Sequence, residues 1–197
     1  VRAHLFLTLT AALLVGSACD PSPKDFEHLR TPKIVQKSAL KFLVLELTGA
    51  PDKTVSEAYK KLFSAFYTIP DRDKELAKQG PRARWPKPVE TPVEQWVGIF
   101  GVAVSNSVTA LPDSVKEIDP DIRLETWAYG ETAEIIHIGP YNTETATIET
   151  LRDSIASQGY RITGPHEEEY IRAPGMFFKG DEKSYITFIR YAVAKKK

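Results

Sequence analysis

Two halves of the chain follow one layout, and that repetition restricts the fold more than any other feature. Lys41 to Leu47 is rich in β-forming residues and reads as a strand, which Gly49-Ala50-Pro51 breaks. Val55, Ala58, Tyr59, Leu62, Phe63 and Phe66 then recur at helical spacing, behind a capping box from Thr54 to Glu57. Val93 to Val104 reads as a strand again. The second half repeats the order. Ala133 to Ile138 is a strand broken by Gly139-Pro140-Tyr141. Thr143 to Gln158 is a helix with Ile148, Leu151 and Ile155 on one face and Gly159 as its stop. Tyr160 to Ile171 and Ser184 to Ala194 supply two more strands. Both halves close on Ala-Val, at Ala103-Val104 and Ala192-Val193. The fold class expected is α+β: a duplicated strand-helix-strand-strand module, one antiparallel sheet with two helices on one face. The other face is then free to form a cleft. One domain spans 33–197, with repeat one at about 33–105 and repeat two at about 120–195.

Two connections need separate treatment. Residues 70–92 carry Pro70, Pro81, Pro86, Pro88 and Pro92 and read as a long loop or irregular strand. Arg72, Lys74, Lys78, Arg82, Arg84 and Lys87 make it locally basic, and a solvated loop is the plainer reading. Ile122 to Tyr129, Gly130 and Ala133 to Ile138 look like a β-hairpin.

The chain has 197 residues, with 26 Lys+Arg against 26 Asp+Glu, so overall charge makes no case for nucleic acid. Cys19 is the one cysteine, which excludes an internal disulfide and a cysteine-rich metal site. His28, His137 and His166 are scattered, without metal-ligand spacing. No metal or cofactor is expected. Arg2, the apolar run Leu5 to Val15 and the small residues Gly16-Ser17-Ala18 have the layout of a signal peptide over 1–18. The run is shorter than the ~20 residues of a membrane-spanning helix. It resembles a bacterial lipoprotein leader with Cys19 as the lipidated residue, although Gly16 stands where such leaders favour Leu. Residues 19–32 read as a tether. The expectation is an exported cell-envelope lipoprotein, held to a membrane by its N-terminal lipid and facing periplasm or exterior.

Ala133-Glu134-Ile135-Ile136-His137-Ile138-Gly139-Pro140-Tyr141 resembles the strand-to-helix turn of the GyrI-like small-molecule-binding family. Gln158 to Ile171 is similar too, down to an E-x-Y core at Glu168 and Tyr170, and Tyr185 to Val193 looks like the family's last strand. The clear resemblance covers about 120–195; residues 38–105 share the layout more than the sequence. The resemblance implies a pocket at the pseudo-twofold axis between the repeats. It implies kinship with effector-binding domains of multidrug-responsive regulators, a gyrase-inhibitory protein and hydrolases of cyclopropane-bearing toxins. Family members often carry a glutamate in the last strand, where this chain has Phe188; Glu168 is the candidate substitute.

Glu168 and Tyr170 lie two apart on a strand and so share a face. There, a carboxylate beside aromatic walls receives a cation or polarises water; the plainer reading is a solvent-facing pair beside Glu167 and Glu169. Trp96, Tyr141, Glu168 and Tyr170 are the candidate ligand-binding residues, and Glu168 the catalytic one if the protein is a hydrolase. His137, between isoleucines, reads as structural. Three functions stay open: capture of a small apolar or aromatic ligand in an aromatic pocket, hydrolysis of a reactive small molecule using Glu168, and a pocketless interaction protein.

Overall fold

Among the described residues, nine strands and three α-helices follow one another in the order the two halves announce. The computed structural model describes residues 22–70, 72–73, 76, 79–88, 90–173 and 180–197. The leader at 1–18, Cys19, Lys74, Lys78 and Pro174-Gly175 lie outside these described residues. Strands β1 (Lys33–Lys37) and β2 (Leu40–Thr48) precede helix α1 (Pro51–Thr68), then β3 (Arg82–Trp85) and β4 (Val97–Val104). A short helix α2 (Asp113–Ile118) leads to β5 (Arg123–Trp127) and β6 (Gly130–Ile138), helix α3 (Thr145–Ser157), β7 (Tyr160–Ile162), β8 (His166–Arg172) and β9 (Ile186–Lys195). The unit β2-α1-β3-β4 thus returns as β6-α3-β8-β9, as the repeat required. No helix among the described residues is long and apolar enough to cross a membrane.

The strands form one antiparallel sheet in the order β1-β6-β9-β8-β3-β4-β2-β5, with β7 added to β9. This order is symmetric about the β8–β3 pair. Two local features mark the same symmetry. Gly49 and Gly139 both adopt left-handed backbone, at φ 137° and 138°. Their amides donate to the carbonyls of Trp96 and Tyr185, at 2.9 and 3.0 Å. The symmetry therefore equates Trp96 with Tyr185, and β4 with β9. It also exposes the fate of the expected hairpin: β5 and β6 do not pair with each other. β5 pairs with β2 and β6 with β1 and β9. Residues 128–129 link β5 to β6 and residues 38–39 link β1 to β2, each a reach of roughly 10 Å. Each link nevertheless joins strands at opposite ends of the sheet order, so the sheet must curl until its ends approach.

Helix α1 begins three residues before the expected cap. Pro51 occupies its first turn, where a missing N–H costs nothing. Thr54, instead of capping, is buried and its hydroxyl donates to the Ala50 carbonyl. The predicted apolar stripe holds: Ala58, Leu62 and Phe66 are buried, and Val55, Tyr59 and Phe63 pack against the same core with Leu43, Leu45, Phe100 and Val102. Leu151 and Ile155 of α3 are buried against Ala133, Ile135, Ile189 and Tyr191. Gly159, at φ 77°, ends α3 in the left-handed conformation that favours glycine.

Cross-strand register shows that both helices cover one sheet face. Ile135, Ile189, Glu168, Ala83, Phe100 and Leu45 form one row across β6, β9, β8, β3, β4 and β2. That row lies under the helices, and Glu168 is its single polar member. The next row, on the opposite face, reads Glu134, Arg190, Glu167, Arg84 and Ile99. The opposite face is thus largely occupied by paired charges, together with Phe42, Val44, Trp127 and Tyr129. The segment expected to be a solvated basic loop supplies two of those charges. Arg82 and Arg84 belong to central strand β3 because Glu169 and Glu167 face them directly across β8.

Candidate functional site

The pseudo-twofold axis passes between Ala83 and Glu168. The β3–β8 register pairs Arg82 with Glu169, Ala83 with Glu168 and Arg84 with Glu167, so Ala83 and Glu168 are symmetry counterparts facing each other. A small residue in one repeat leaves room for a carboxylate from the other. Around it stand aromatic rings from both halves: Tyr59 from α1, Trp85 from β3, Tyr141 from the turn before α3, and Tyr170 from β8.

Glu168 is held by a phenol and an imidazole. Tyr170 Oη donates to Oε2 at 2.6 Å and His166 Nε2 donates to Oε1 at 2.8 Å. A carboxylate only accepts, so His166 carries a proton on Nε2, and its Nδ1 lies at hydrogen-bond distance, 3.0 Å, from Tyr191 Oη. The Trp85 indole N–H faces the same carboxylate without closing a full hydrogen bond. No lysine or arginine among the described residues pairs with it. Burial by itself raises a carboxyl pKa, but the hydrogen bond and electrostatic attraction of His166, then the donors Tyr170 and Trp85, outweigh burial and hold Glu168 below the usual carboxylate range.

A second carboxyl behaves in the opposite way. Glu144, at the start of α3, is 6% exposed, and its Oε1 and the Thr187 hydroxyl are buried without hydrogen bonds. Burial, then the negative charge of Glu168, push Glu144 up to about 9, against a weaker lowering by Thr187. At neutral pH the pair therefore holds one ionised and one protonated carboxyl, the arrangement that lets two like groups take acid and base roles.

The rings pack edge to face. Tyr170 meets Tyr59 at 6.0 Å and Tyr141 at 5.8 Å between centroids, at 77° and 80°. Tyr141 also lies 5.4 Å from Tyr185, and Trp85 lies 5.6 Å from Phe100. Such pairs contribute roughly 0.5–1.5 kcal/mol each. Tyr141 is 38% exposed whereas Tyr170 is 7%. Tyr141 is thus the ring of this cluster most open to solvent. Tyr59 Oη is buried with no hydrogen-bond partner, a polar atom facing the site unsatisfied.

Of the residues singled out from sequence, Tyr141, Glu168 and Tyr170 come together. Trp96 stands one ring further out, 5.9 Å from Trp85, with its indole N–H donated to the Thr91 carbonyl at 2.7 Å. Glu167 and Glu169 are not solvent-facing: both are buried on the opposite face, bound to arginines. Phe188 shares that opposite face with Arg190 and Phe26, away from Glu168. His137 is structural, hydrogen-bonded to Thr147 Oγ1 at 2.9 Å and to the Pro140 carbonyl at 3.1 Å. Tyr59, Trp85, Glu144 and Tyr185 escaped sequence reading. Trp96 and Tyr185 occupy matching places in the repeat, so the repeat itself held the signal for Tyr185. Among the described residues no group of three or more His, Cys, Asp or Glu is placed to hold a metal ion.

A family model for the GyrI-like small molecule binding domain matches residues 30–187, across both repeats. The chain belongs to that family. The match includes the first half, where the likeness in sequence is weaker. Among solved structures, a hydrolase from Listeria innocua shares 17% identity at TM-score 0.67, over 84% of this chain and 92% of that one. An uncharacterized conserved protein from Listeria innocua shares 18% identity at TM-score 0.67, over 84% and 93%. The EcmrR C-terminal domain shares 13% identity at TM-score 0.65, over 84% and 98%. At these identities the likeness shows the GyrI-like fold. No curated protein matches the chain in sequence.

Proposed function

We propose that this GyrI-like domain captures a small aromatic molecule at its pseudo-twofold axis, with positively charged ligands favoured. The observation that carries the proposal is Glu168: a largely enclosed, ionised carboxylate held by His166 and Tyr170, with no lysine or arginine partner among the described residues, ringed by Tyr59, Trp85, Tyr141 and Tyr170. A poorly solvated carboxylate answered by an imidazole alone gains from a further positive charge. A cation seated against aromatic faces supplies that charge and gains from the rings. Tyr141, the exposed member, is the ring a ligand displaces. The test is a thermal-shift screen of aromatic ammonium compounds beside their neutral carbon isosteres. The charged member of each pair is expected to stabilise the protein more, and Glu168→Gln to weaken its binding roughly tenfold to a hundredfold. Equal shifts for charged and neutral members, unchanged in Glu168→Gln, would contradict it.

A second reading, hydrolysis of a reactive small molecule, is favoured by the split between Glu168 and Glu144. Glu168 takes a proton from water and Glu144 gives one to the leaving atom. Turnover of a ligand found in the screen, abolished in both Glu168→Gln and Glu144→Gln, separates an enzyme from a binder.

The proposal extends to place. The apolar run Leu5 to Val15, the small residues before Cys19 and the absence of any other cysteine in the chain support export and lipid attachment at Cys19. Cys19→Ser is expected to move the protein from the membrane fraction to the soluble one; retention on the membrane counts against the anchor.

A further inference from the structure

Little slack separates the lipid proposed at Cys19 from the folded domain. Ser22 caps a short helical turn, Pro23–Leu29. The Asp25 amide donates to the Ser22 carbonyl and the Asp25 carboxylate accepts from the Ser22 amide, both at 2.9 Å. Ser22 follows Cys19 by three residues, a reach of about 10 Å at full extension. The turn is fastened to the sheet. Phe26, half-buried, meets Phe188 of β9 edge to face, at 6.2 Å between centroids and 87°. The turn also packs on β6, and from Lys33 onward β1 is paired with β6.

Register identifies the end of the domain that this turn holds. Lys33 pairs with Glu134 and β1 runs antiparallel to β6, so the residues before Lys33 extend toward the Ile138 end of β6. Burial lowers the His137 pKa, the Pro140 carbonyl opposes it, and the charge of Arg30 adds to the lowering, which sets Arg30 beside that end. Tyr141 follows Pro140 there. Phe188 is three residues from Tyr185, whose ring lies 5.4 Å from that of Tyr141. The turn and Tyr141 therefore flank the same end of β6 and β9, with Phe26 on the charged face and Tyr141 on the face of Glu168. β9 runs ten residues to Lys195, so its other end is roughly 30 Å away. Tyr141, exposed and with a polar tip on an apolar ring, is the kind of side chain that suits the headgroup level of a bilayer.

We propose that this end of the β6–β9 pair is the surface that meets the lipid bilayer, so that the ring a ligand displaces opens at the headgroup layer. The proposal rests on lipid attachment at Cys19 and on Tyr141 as the entrance to Glu168. A cation drawn to anionic headgroups then meets Tyr141 first.

Quenching of fluorescent labels tests it. The full chain is purified with its lipid and placed in phosphatidylcholine vesicles that carry nitroxide headgroups. The lipid blocks Cys19, the one native cysteine, so Asn142→Cys and Lys196→Cys, both at exposed positions, each take a single label. The label at position 142 is expected to lose most of its fluorescence and the label at position 196 to keep most of its own. A Gly-Ser insertion of about 20 residues after Asp20 adds a flexible coil of roughly 25 Å and is expected to restore the label at 142. Should labelling at 142 disturb its turn, Lys24→Cys reports the same end from an exposed position. Equal quenching at the two ends, or stronger quenching at 196, overturns the proposal. A label at 142 that stays quenched after the insertion overturns the role of the short link. A chain that does not float with the vesicles overturns the proposal through its anchor and leaves the ligand reading of Glu168 standing.

Discussion

Strand β8 presents glutamates to both faces of the sheet, and the two faces treat them in opposite ways. Glu167 and Glu169 face Arg82, Arg84 and Arg190, with contacts of 2.8 Å from Arg84 to Glu167 and 2.5 Å from Arg190 to Glu169. Glu168, between them in sequence, meets a phenol, an imidazole and an indole. One face has its charges answered by arginines; the other keeps a carboxylate with no lysine or arginine partner among the described residues. The symmetry sharpens the contrast, because Arg82 and Arg84 are the counterparts of Glu167 and Glu169 across the axis. The two repeats thus carry complementary charges at these positions, and at the central position Ala83 faces Glu168. The fold is thus locked on one side of β8, and the proposed binding chemistry lies on the other.

The contrast breaks most visibly at Arg190. Arg190→Met takes from Glu169 its shortest ion pair and from Glu134 one of two, and is expected to cost about 3–5 kcal/mol. Glu168→Gln, which removes a charge from the other face, is expected to cost under ~1 kcal/mol because an amide can still bond Tyr170 and His166. Guanidinium denaturation of the two variants makes the comparison; equal losses would dissolve the distinction between faces.

The next effect in size is a pH dependence. Glu144 releases its proton at about 9 when folded, against 4.5 ordinarily. Below 4.5 both states keep the proton and folding bears no penalty. Between 4.5 and about 9 the unfolded chain gives it up while the native state holds it, so this contribution to stability falls as pH rises. Above that window the loss is complete. Stability of Glu144→Gln is expected to decline less than wild type over this range, read from melting temperatures at stepped pH; parallel curves would place Glu144 in ordinary solvent.

Gly80 gives a smaller, steric probe. A Cβ there would meet the Tyr170 carbonyl oxygen at 2.4 Å. Gly80→Ala is expected to cost ~1–3 kcal/mol and to weaken ligand binding by displacing Tyr170, whereas Gly130→Ala, with open space around its Cβ but φ 64°, is expected to cost ~1 kcal/mol or less with binding intact. Smallest is Tyr59→Phe. It deletes the unpartnered buried hydroxyl while keeping the ring against Tyr170, so stability is expected to hold or rise by up to ~1 kcal/mol.

Much of the fold was legible in sequence because it rests on period and punctuation. The stripe from Val55 to Phe66, the stop at Gly159 and the matching turns at Gly49 and Gly139 are local signals, and each appears where the sequence placed it. The hairpin expected at 122–138 failed because a two-residue link also serves strands that diverge to opposite edges of a curled sheet. Arg82 and Arg84 looked like solvated charges because their partners lie more than eighty residues away on β8. The same distance hid the site: Glu168 and Tyr170 declare themselves by spacing, whereas Tyr59, Trp85 and Glu144 reach the axis through the topology alone.

The most direct measurement is carboxyl carbon NMR of Glu144 and Glu168 across pH, assigned with the two glutamine variants. The account predicts that at neutral pH Glu168 is ionised and Glu144 protonated, and that Glu168→Gln lowers the Glu144 midpoint by removing a neighbouring charge. Two carboxyls titrating together near the ordinary glutamate value would contradict it, since the axis would then hold no distinctive charge for a ligand to meet.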